Sequence, residues 1–592
     1  MASREPENRR RVDAWGRDAG SEAAPPAATG APHLVHGGVL AAEALRSQGV
    51  AGIFTLSGGH VFPVYDGCVT AGLRIVDVRH EQSAVFAAEA VAKLTRRPGV
   101  AVVTAGPGVT NGVSAMTTAG FNGSPILVLA GRAPAARWGS GSLQELDHVP
   151  IVAPVVKQAA TVLSTADIFG HVVAALTTAQ TPKRGPVFVD VPLDVLFAEA
   201  PLAGGVGPPG GPGPPGWSVA GGGRGQPHGP DGPAPDPAVV DEVAEMLAGA
   251  KRPVVVAGND VWWGGAVDEL RAFVEAAEVP TFVNGLGRGC VPADHPLSFS
   301  RARSLLPESD LVLVAGAPLD FRLSFGRFGS ARVVHLVESH EQLAGHVELA
   351  AGIVGSIKDV FARFAERAAP VSATVQSERR SWRERLRDHE RSARSEEAGG
   401  LASAATPIHP MRIYGELRRR LDRDAIVIGD GGDFVSYAGR LIDSYEPGCW
   451  LDPGPFGCLG AGLGYAIAAR VVHPDRQVVL LAGDGAFGLS AMDVDTLVRH
   501  RLPVVIVIGN NGIWGLEKHP MQLLYGYDVA ADLQDRCRYD EVVRALGGAG
   551  EIVDDPDGIG PALDRAFASG VPYAVNVVYD PAAAYPRRSN LA

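Results

Sequence analysis

The sequence predicts an α/β protein built from three successive doubly wound domains with parallel sheets. Short, continuous apolar runs bounded by glycine-containing turns alternate with helical segments along most of the 592 residues. Such runs are typical of strands buried on both faces of a parallel sheet. A Gly/Pro-dense stretch and a charged helical stretch divide the chain into three units, and the chain is long enough for each unit to bury its own core.

The first predicted domain covers residues 37–200 and follows a tail at residues 1–36. The tail is rich in Arg, Glu, Pro and Ala and has no apolar core, so we expect disorder rather than a secretion signal. In the domain we expect helices at 39–47 and 82–95 and strands at 52–56, 74–78, 100–104, 125–130 and 186–190.

A Gly/Pro linker at 203–237 separates this unit from a central α/β domain at 238–370. There we expect a helix at 238–248 and strands at 253–257, 311–315 and 332–336. Residues 371–406 form a connector whose charged helix, 378–397, is expected to be solvated, and the third domain spans 407–592.

Composition excludes several functional classes. The chain carries 53 Lys and Arg against 65 Asp and Glu, a net charge of −12, which argues against nucleic acid as a partner. Its five cysteines form no CxxC pair, so neither a disulfide framework nor a zinc site is expected. No apolar run is long enough for a membrane span, and we predict a cytoplasmic protein without a membrane partner.

One strand–turn unit in the third domain predicts a metal site. The apolar run 477–482 leads into Gly483-Asp484-Gly485, a helix is expected at 490–500, and a second strand, 503–508, ends at Gly509-Asn510-Asn511. Both strands end at the same edge of the sheet, so Asp484 and Asn511 should lie side by side. Their oxygens suit Mg²⁺ that keeps phosphate oxygens as further ligands, and the glycines allow close approach to a diphosphate.

A GDG followed by a paired Asn resembles the thiamin diphosphate (ThDP) signature of the pyruvate-decarboxylase-like superfamily. The resemblance covers roughly residues 37–580, within the branch of acetolactate synthase, oxalyl-CoA decarboxylase and 2-hydroxyacyl-CoA lyase. It implies pyrimidine-binding, central and pyrophosphate-binding domains in that order, with ThDP and Mg²⁺ as cofactors. It also implies that Asp484, the Asn511 side chain and the Ile513 carbonyl bind the metal.

The segment Val78-Arg79-His80-Glu81-Gln82 resembles the activating-glutamate motif of this family. A carboxyl group hydrogen-bonded to the aminopyrimidine of ThDP promotes the tautomer that removes the reactive proton of the thiazolium. The alternative is a glutamate favoured at a helix N-terminus by the helix dipole. In the family this glutamate reaches cofactor held by another subunit, which implies a homodimer or homotetramer with active sites at subunit interfaces.

Two further segments resemble cofactor-binding parts of the family. Residues 429–434 follow a predicted strand like the second diphosphate loop, with Asp433 where acetolactate synthases usually carry His. In residues 457–462, Leu459 takes the place of the apolar residue that supports the bent cofactor. The resemblance thus implies a cofactor-binding set of Gly431, Gly432, Asp433, Phe434, Gly457, Leu459, Gly483, Asp484, Gly485, Ala486, Asn511 and Ile513.

The sequence leaves two alternative reactions open. His80-Glu81-Gln82 and the stretch 142–145 resemble acetolactate synthase, which joins two 2-keto acids with loss of CO₂. The synthases carry an apolar residue where Glu517 stands and a tryptophan where Pro520 stands. Glu517 occupies the position of a catalytic acid in the decarboxylases, although a solvent-facing helix glutamate is the alternative reading.

Two segments favour the acyl-CoA lyases. Residues 316–326 resemble their nucleotide-site segment more than a flavin site, which leaves FAD or ADP in the central domain as a doubtful addition. The tail 585–592 resembles the C-terminal segment that folds over their substrate, and Arg587 and Arg588 could meet CoA phosphates.

The favoured activity is therefore a reversible 2-hydroxyacyl-CoA lyase that gives an aldehyde or ketone plus formyl-CoA. Its small-molecule substrate would be an acyl-CoA, with a 2-keto acid as the substrate of the alternative, acetolactate synthase. The catalytic residues would be Glu81, Glu517, His80 and Gln144. A catalytically inactive nucleotide-binding relative is a remote third hypothesis, because Glu81, Asp484 and Asn511 are all present.

Overall fold

The computed structural model describes residues 33–202, 232–368 and 371–586. Three parallel sheets follow one another along the chain, each covered by helices, so the predicted α/β class is confirmed. No helix in these ranges combines the length and apolar character needed to cross a membrane.

The first sheet has six parallel strands in the order β3-β2-β4-β5-β7-β6, and a separate antiparallel pair, β1 and β8, lies beside it. The first strands are β1 (Leu34–His36), β2 (Gly52–Thr55), β3 (Arg74–Asp77), β4 (Gly99–Val103), β5 (Ile126–Arg132), β6 (Gln158–Thr161), β7 (Pro186–Pro192) and β8 (Glu199–Pro201). Its helices are Gly37–Ser47, Phe62–Ala71, Glu81–Thr95, Pro107–Thr110, Val113–Asn122, Val149–Val152, Ile168–Gln180 and Leu193–Phe197.

The central sheet has five parallel strands in the order β10-β9-β11-β12-β13. They are β9 (Pro253–Ala257), β10 (Thr281–Val283), β11 (Leu311–Ala315), β12 (Arg332–Val337) and β13 (Ala351–Val354). Its helices are Pro237–Gly249, Asn259–Trp263, Val267–Ala277 and Ile357–Glu366, and the long helix Ala373–Leu401 follows.

The third sheet has six parallel strands in the order β15-β14-β16-β17-β19-β18. They are β14 (Ile426–Asp430), β15 (Trp450–Leu451), β16 (Val478–Gly483), β17 (Val505–Asn510), β18 (Ala549–Val553) and β19 (Tyr573–Val578). Its helices are Pro410–Leu417, Asp433–Leu441, Gly462–Val472, Asp484–Ser490, Val494–Arg499, Gly515–Tyr525, Tyr539–Ala545 and Ile559–Ala568.

Three local expectations differ from the structure. Strand β1 lies inside the range expected for the tail, because residues 34–36 pair with β8. A helix begins directly at Asp484 and a separate one at Val494, instead of a single helix over 490–500. Helix Ala373–Leu401 is not simply solvated, since it buries Trp382 and Leu386 against the central domain.

The first and third domains pack through two helices that flank the predicted site. Helix Glu81–Thr95 crosses helix Gly462–Val472 at Gly464, where a Cβ atom would lie 2.8 Å from the Cβ atom of Phe86. The rings of Phe86 and Tyr465 meet edge to face with centroids 5.7 Å apart. One helix begins at Glu81 and the other follows Leu459, so this packing sets how those two residues are placed.

Candidate active site

Asp484 lies at the end of β16, next to the turn that follows β17. The two strands pair in parallel with Gly483 opposite Gly509. The Asp484 carboxylate accepts the Gly512 N–H through Oδ2 at 2.8 Å and the Gly485 N–H through Oδ1 at 3.0 Å. Burial raises its pKa to about 6. A nearby cation would favour the charged form of this carboxylate.

The turn whose Gly512 N–H binds this carboxylate also carries the Asn511 side chain. Asn511 Oδ1 accepts the Ile513 N–H at 3.3 Å, which folds the side chain back over the turn. Across the described ranges, no group of three or more His, Cys, Asp and Glu side chains is arranged to hold a metal. A metal at Asp484 would therefore complete its coordination with amide, carbonyl and ligand oxygens, as Mg²⁺ does.

Some glycines of these loops face empty space, whereas others are packed against neighbouring atoms. A Cβ atom at Gly483 or at Gly457 would meet no protein atom within 4 Å, which shows open space beside both loops. At Gly485 a Cβ atom would lie 2.5 Å from the ring of Trp514, so only glycine fits. Gly431 adopts a φ of +131°, in the region that favours glycine. The protein thus leaves space beside Gly483, the residue before Asp484, where the sequence predicts a diphosphate group.

The loop after β14 offers mainly main-chain atoms to the candidate site, because its larger side chains are buried. Asp433 begins helix Asp433–Leu441 directly after Gly431 and Gly432, and its side chain is buried. The ring of Phe434 packs on Tyr414 and Tyr579 in the core, which leaves its main chain for any cofactor contact. Ala486 is likewise buried, in the first turn of the helix that starts at Asp484.

The segment around Leu459 is held by a buried carboxylate. Asp430, the last residue of β14, accepts the Gly460 N–H at 3.1 Å and the Gly462 N–H at 2.7 Å. Burial raises the pKa of Asp430 to about 6. The Leu459 carbonyl accepts a hydrogen bond from Gln82 Nε2 at 3.4 Å, which brings this segment next to the loop that carries Glu81.

Glu81 is buried, with 6% of its surface exposed, and its Oε2 accepts a hydrogen bond from Asn111 Nδ2 at 3.0 Å. The His80 side chain is exposed, and its Nδ1 accepts the Gln82 N–H at 3.1 Å, which caps the helix. Asp493 of the third domain fixes this loop, since it accepts hydrogen bonds from the Arg79 N–H at 2.7 Å and from Ser83 Oγ at 2.5 Å. The sharing of Glu81 between subunits stays a prediction.

Gln144 adopts a strained backbone with a φ of +57°. Its Oε1 accepts a hydrogen bond from Thr104 Oγ1 at 3.4 Å, and Thr104 Oγ1 lies 3.2 Å from His60 Nδ1. Burial lowers the pKa of His60, which keeps the imidazole neutral near pH 7. Glu517 is exposed in the first turn of helix Gly515–Tyr525, none of whose side chains is buried in the single chain.

Sequence reasoning overlooked three residues of this region, namely Asp430, Asp493 and His60. Asp430 precedes a glycine pair at a strand end, a signal like that of Asp484 itself. His60 follows Ser57-Gly58-Gly59 in the turn after β2, the usual place for a functional residue of a parallel sheet. Nothing local marks Asp493, because its partners Arg79 and Ser83 lie more than 400 residues earlier.

Known families match all three domains in the order expected. Models described as the N-terminal TPP binding domain, the central domain and the C-terminal TPP binding domain of thiamine pyrophosphate enzymes match residues 35–151, 240–364 and 430–577. Thiamine pyrophosphate is ThDP. The two ThDP-binding models cover Glu81 and Asp484, respectively.

Full-length relatives support the same assignment. The acetolactate synthase large subunit IlvG of Mycobacterium tuberculosis is 52% identical over 570 residues, which cover 95% of this chain and 99% of the relative. The 2-hydroxyacyl-CoA lyase 2 of Homo sapiens is 35% identical over 589 residues, with 92% and 90% covered, and that of Caenorhabditis elegans is 35% identical over 561 residues, with 90% and 87% covered. The chain therefore belongs to the thiamine pyrophosphate enzyme family.

Proposed function

We propose that this protein is a ThDP- and Mg²⁺-dependent enzyme that breaks or forms a carbon–carbon bond next to a carbonyl group. The observation that carries the proposal is the meeting of the Asp484 and Asn511 turns, joined by the 2.8 Å hydrogen bond between Asp484 and Gly512, beside open space at Gly483. Asp484, the Asn511 side chain and the Ile513 carbonyl would hold Mg²⁺. The main chain of residues 431–434 and 483–486 would hold the diphosphate.

The residues of the chain would position the cofactor and the substrate and transfer protons. When bound, ThDP would supply a carbon that, once deprotonated, adds to a carbonyl group, and a thiazolium ring that takes up the electron pair of the broken bond. Glu81 would hold a proton at the pyrimidine ring nitrogen, with Asn111 fixing its carboxyl group at 3.0 Å. Leu459 would support the cofactor from below, with Asp430 holding its segment in place. Gln144 and His80 are the proposed groups that polarise the substrate carbonyl.

Two reactions fit this machinery. The relative with 52% identity carries the name acetolactate synthase, which favours the condensation of two 2-keto acids with loss of CO₂. Glu517 and Pro520 depart from the synthase pattern and favour the second candidate, cleavage of a 2-hydroxyacyl-CoA to formyl-CoA and an aldehyde or ketone. In that reaction Glu517 would give or take the proton of the departing carbonyl compound.

The deciding experiment supplies the purified enzyme, loaded with ThDP and Mg²⁺, with pyruvate alone or with a 2-hydroxyacyl-CoA. Acetolactate formation with an inert acyl-CoA supports the synthase, and release of formyl-CoA with inert pyruvate supports the lyase. If ThDP changes neither reaction and does not bind, the proposed function is wrong.

The role of Glu517 has its own test. We expect Glu517→Gln to lower kcat about 100-fold, within the usual range for loss of a general acid. Lys518 neighbours it in the same helix turn and pairs with Asp528 at 3.4 Å, so Lys518→Gln is a matched control that should retain turnover. Full activity of Glu517→Gln would contradict the acid–base role.

On the strength of the family resemblance, we also propose that the enzyme works as a homodimer or homotetramer in which Glu81 of one subunit serves cofactor held by another. Mixing inactive Glu81→Gln and Asp484→Asn chains tests this directly. Shared sites predict recovery of about a quarter of wild-type activity in a statistical one-to-one mixture of dimers, because half of the dimers are mixed and each mixed dimer has one intact site. No recovery after verified subunit exchange would place both residues in one chain's site.

A further inference from the structure

A fully buried histidine lies behind the turn that follows β4, here called the Gly106 turn (residues 105–108). The Gly106 N–H donates to Nε2 of His148 at 2.9 Å, across 42 positions of the sequence. A backbone N–H can only donate, so Nε2 carries no proton and the proton of the ring lies on Nδ1. The ring also packs edge to face on Phe188, with centroids 6.2 Å apart. His148 therefore serves the Gly106 turn as a hydrogen-bond acceptor in a fixed place.

The proton on Nδ1 fixes the ring from its other side. Nδ1 donates to Oδ2 of Asp190 at 2.8 Å, and this carboxylate is also fully buried. Arg132 donates to the same oxygen at 3.1 Å and to the Asp147 carboxylate at 3.1 Å. Arg132 thus balances the charge of Asp190 without a second proton on the imidazole. The hydrogen bond at one ring nitrogen sets which nitrogen is free to accept, so Asp190 and Arg132 keep Nε2 available to Gly106.

The Gly106 turn packs directly on Gln144. A Cβ atom at Gly106 would lie 3.0 Å from Gln144 Cβ and 3.3 Å from the Gln144 carbonyl oxygen, so the two main chains are in close contact. Both residues have a positive φ, +58° at Gly106 and +57° at Gln144. Such a conformation is strained at a residue other than glycine and persists only where the surroundings hold it. The contact with the Gly106 turn is one of the restraints on Gln144.

The Gly106 turn also leads to Asn111. The short helix Pro107–Thr110 follows Gly106, and at its end the Asn111 N–H donates to the Pro107 carbonyl at 2.9 Å. Asn111 Nδ2 in turn donates to Glu81 Oε2 at 3.0 Å. Because this helix has about one turn, a displacement of Gly106 passes directly to Asn111 and to its hydrogen bond with Glu81.

We propose that His148 is a positioning residue that holds the Gly106 turn through the acceptor at Nε2. Through this turn it places Gln144 relative to the Asn111–Glu81 pair. Its effect on turnover rests on the proposed function, in which Gln144 polarises the substrate carbonyl and Glu81 holds a proton at the pyrimidine ring. The role requires no contact of the imidazole with substrate or cofactor. Loss of the acceptor leaves a buried N–H unpaired, which loosens the turn.

Three variants test the hydrogen bond itself, in the enzyme saturated with ThDP and Mg²⁺. His148→Phe keeps a ring and removes the acceptor, whereas His148→Gln offers Oε1 as an acceptor near the place of Nε2. His171→Phe is the matched control, because His171 lies exposed on helix Ile168–Gln180 of the same domain. Amide hydrogen exchange of residues 105–111 should be about tenfold faster in His148→Phe, as expected for one lost hydrogen bond, and close to wild type in the other two variants. Exchange in helix Gly37–Ser47 should stay unchanged in His148→Phe, which separates a local loosening from a general loss of stability.

Turnover tests the consequence for the active site. Per bound ThDP, His148→Phe should lower kcat about 10-fold to 100-fold, within the range for small displacements of groups at a reacting centre. The affinity for ThDP and Mg²⁺ should stay near that of the wild type, because Asp484 and Asn511 lie in another domain. His148→Gln should recover most of kcat. A purely structural role would lower the fraction of folded enzyme and leave kcat per bound ThDP unchanged.

Unchanged exchange of residues 105–111 in His148→Phe would overturn the proposal, and so would faster exchange with an unchanged kcat per bound ThDP. If His148→Phe does not fold, nitrogen NMR of the histidine-labelled wild type, assigned by comparison with His148→Gln, replaces it. A proton on Nδ1 alone then supports the role of His148, and a proton on Nε2 overturns it. If no substrate is turned over, the proposed function fails, and the exchange of residues 105–111 still decides whether His148 holds the turn.

Discussion

Replacing Lys93 with methionine should destabilise the contact between the first and third domains. Lys93 Nζ pairs with Glu89 Oε1 at 3.0 Å, and the two side chains are 2% and 0% exposed. Lys93 also donates to the Asp452 carbonyl at 2.8 Å, and Tyr465 OH donates to Glu89 Oε2 at 2.6 Å. Lys93→Met therefore removes the lysine that pairs with Glu89 and leaves a buried carboxylate.

The loss of stability depends on the hydrogen bonds that Glu89 keeps in the variant. Removing one partner of a buried ion pair costs about 3–5 kcal/mol. Glu89 keeps hydrogen bonds from Tyr465, Asn122 and Ser124, so we expect the lower end, about 3 kcal/mol. The double variant Glu89→Gln/Lys93→Met buries no charge and should recover a part of that loss.

Amide hydrogen exchange in helix Glu81–Thr95 measures this cost locally, which suits a chain of three domains that need not unfold in one step. The opening free energy of the helix should fall in Lys93→Met and rise again in the double variant. Lys183→Met, which breaks an exposed ion pair between Lys183 of the first domain and Glu341, is the matched control. A change below about 1 kcal/mol in Lys93→Met, or a double variant as unstable as the single one, would refute the reasoning.

Three further predictions concern single side chains. Asp484→Asn should weaken Mg²⁺-dependent ThDP binding at least about tenfold, measured by equilibrium dialysis, whereas unchanged affinity would remove Asp484 from the metal site. Glu81→Gln should lower kcat at least about 100-fold while ThDP still binds, and a kcat within a few-fold of wild type would contradict its activating role. His473 has its pKa lowered to about 4 by burial, so the unfolded chain takes up the proton first as the pH falls below the ordinary 6.5. The free energy of unfolding should thus fall by about 2–3 kcal/mol between pH 6.5 and pH 4 because of His473. Denaturation curves of His473→Gln should lack this fall. If the variant loses as much stability as the wild type over this pH range, His473 is not its cause.

The sequence predicts the buried strands well because their signal is local. Strand β9 has the expected bounds, and β16 and β17 lie within two residues of them. Edge strands carry no continuous apolar run, so nothing indicated β6, Gln158–Thr161, which pairs only with β7. The helix Val494–Arg499 lies inside the expected range 490–500, but the helix Asp484–Ser490 before it was not predicted, because Gly483, with an extended backbone, already lets a helix begin at Asp484.

The residues of the candidate site also differ in whether a local signal in the sequence predicts them. Gly483-Asp484-Gly485 and the Asn511 turn could be placed together from the sequence, because parallel strands fix which ends meet. The groups that hold Glu81 in place could not be predicted, since Asp493 reaches Arg79 across 414 positions. Helix Ala373–Leu401 shows a related difficulty, because its charge pattern hides the buried Trp382 that anchors it.

The structure also distinguishes between two buried carboxylates that the third sheet places at neighbouring strand ends. Burial raises the pKa of both Asp430 and Asp484 to about 6, and each accepts two backbone N–H groups. Next to Asp430 the space is filled, since a Cβ atom at Gly462 would lie 2.6 Å from Leu480 and 2.9 Å from Asp430 itself. Next to Asp484, a Cβ atom at Gly483 would meet nothing within 4 Å. We therefore expect different roles for two carboxylates with the same protonation tendency. The enclosed Asp430 braces the Leu459 segment, whereas Asp484, beside open space, is the carboxylate expected to exchange its proton for a cation.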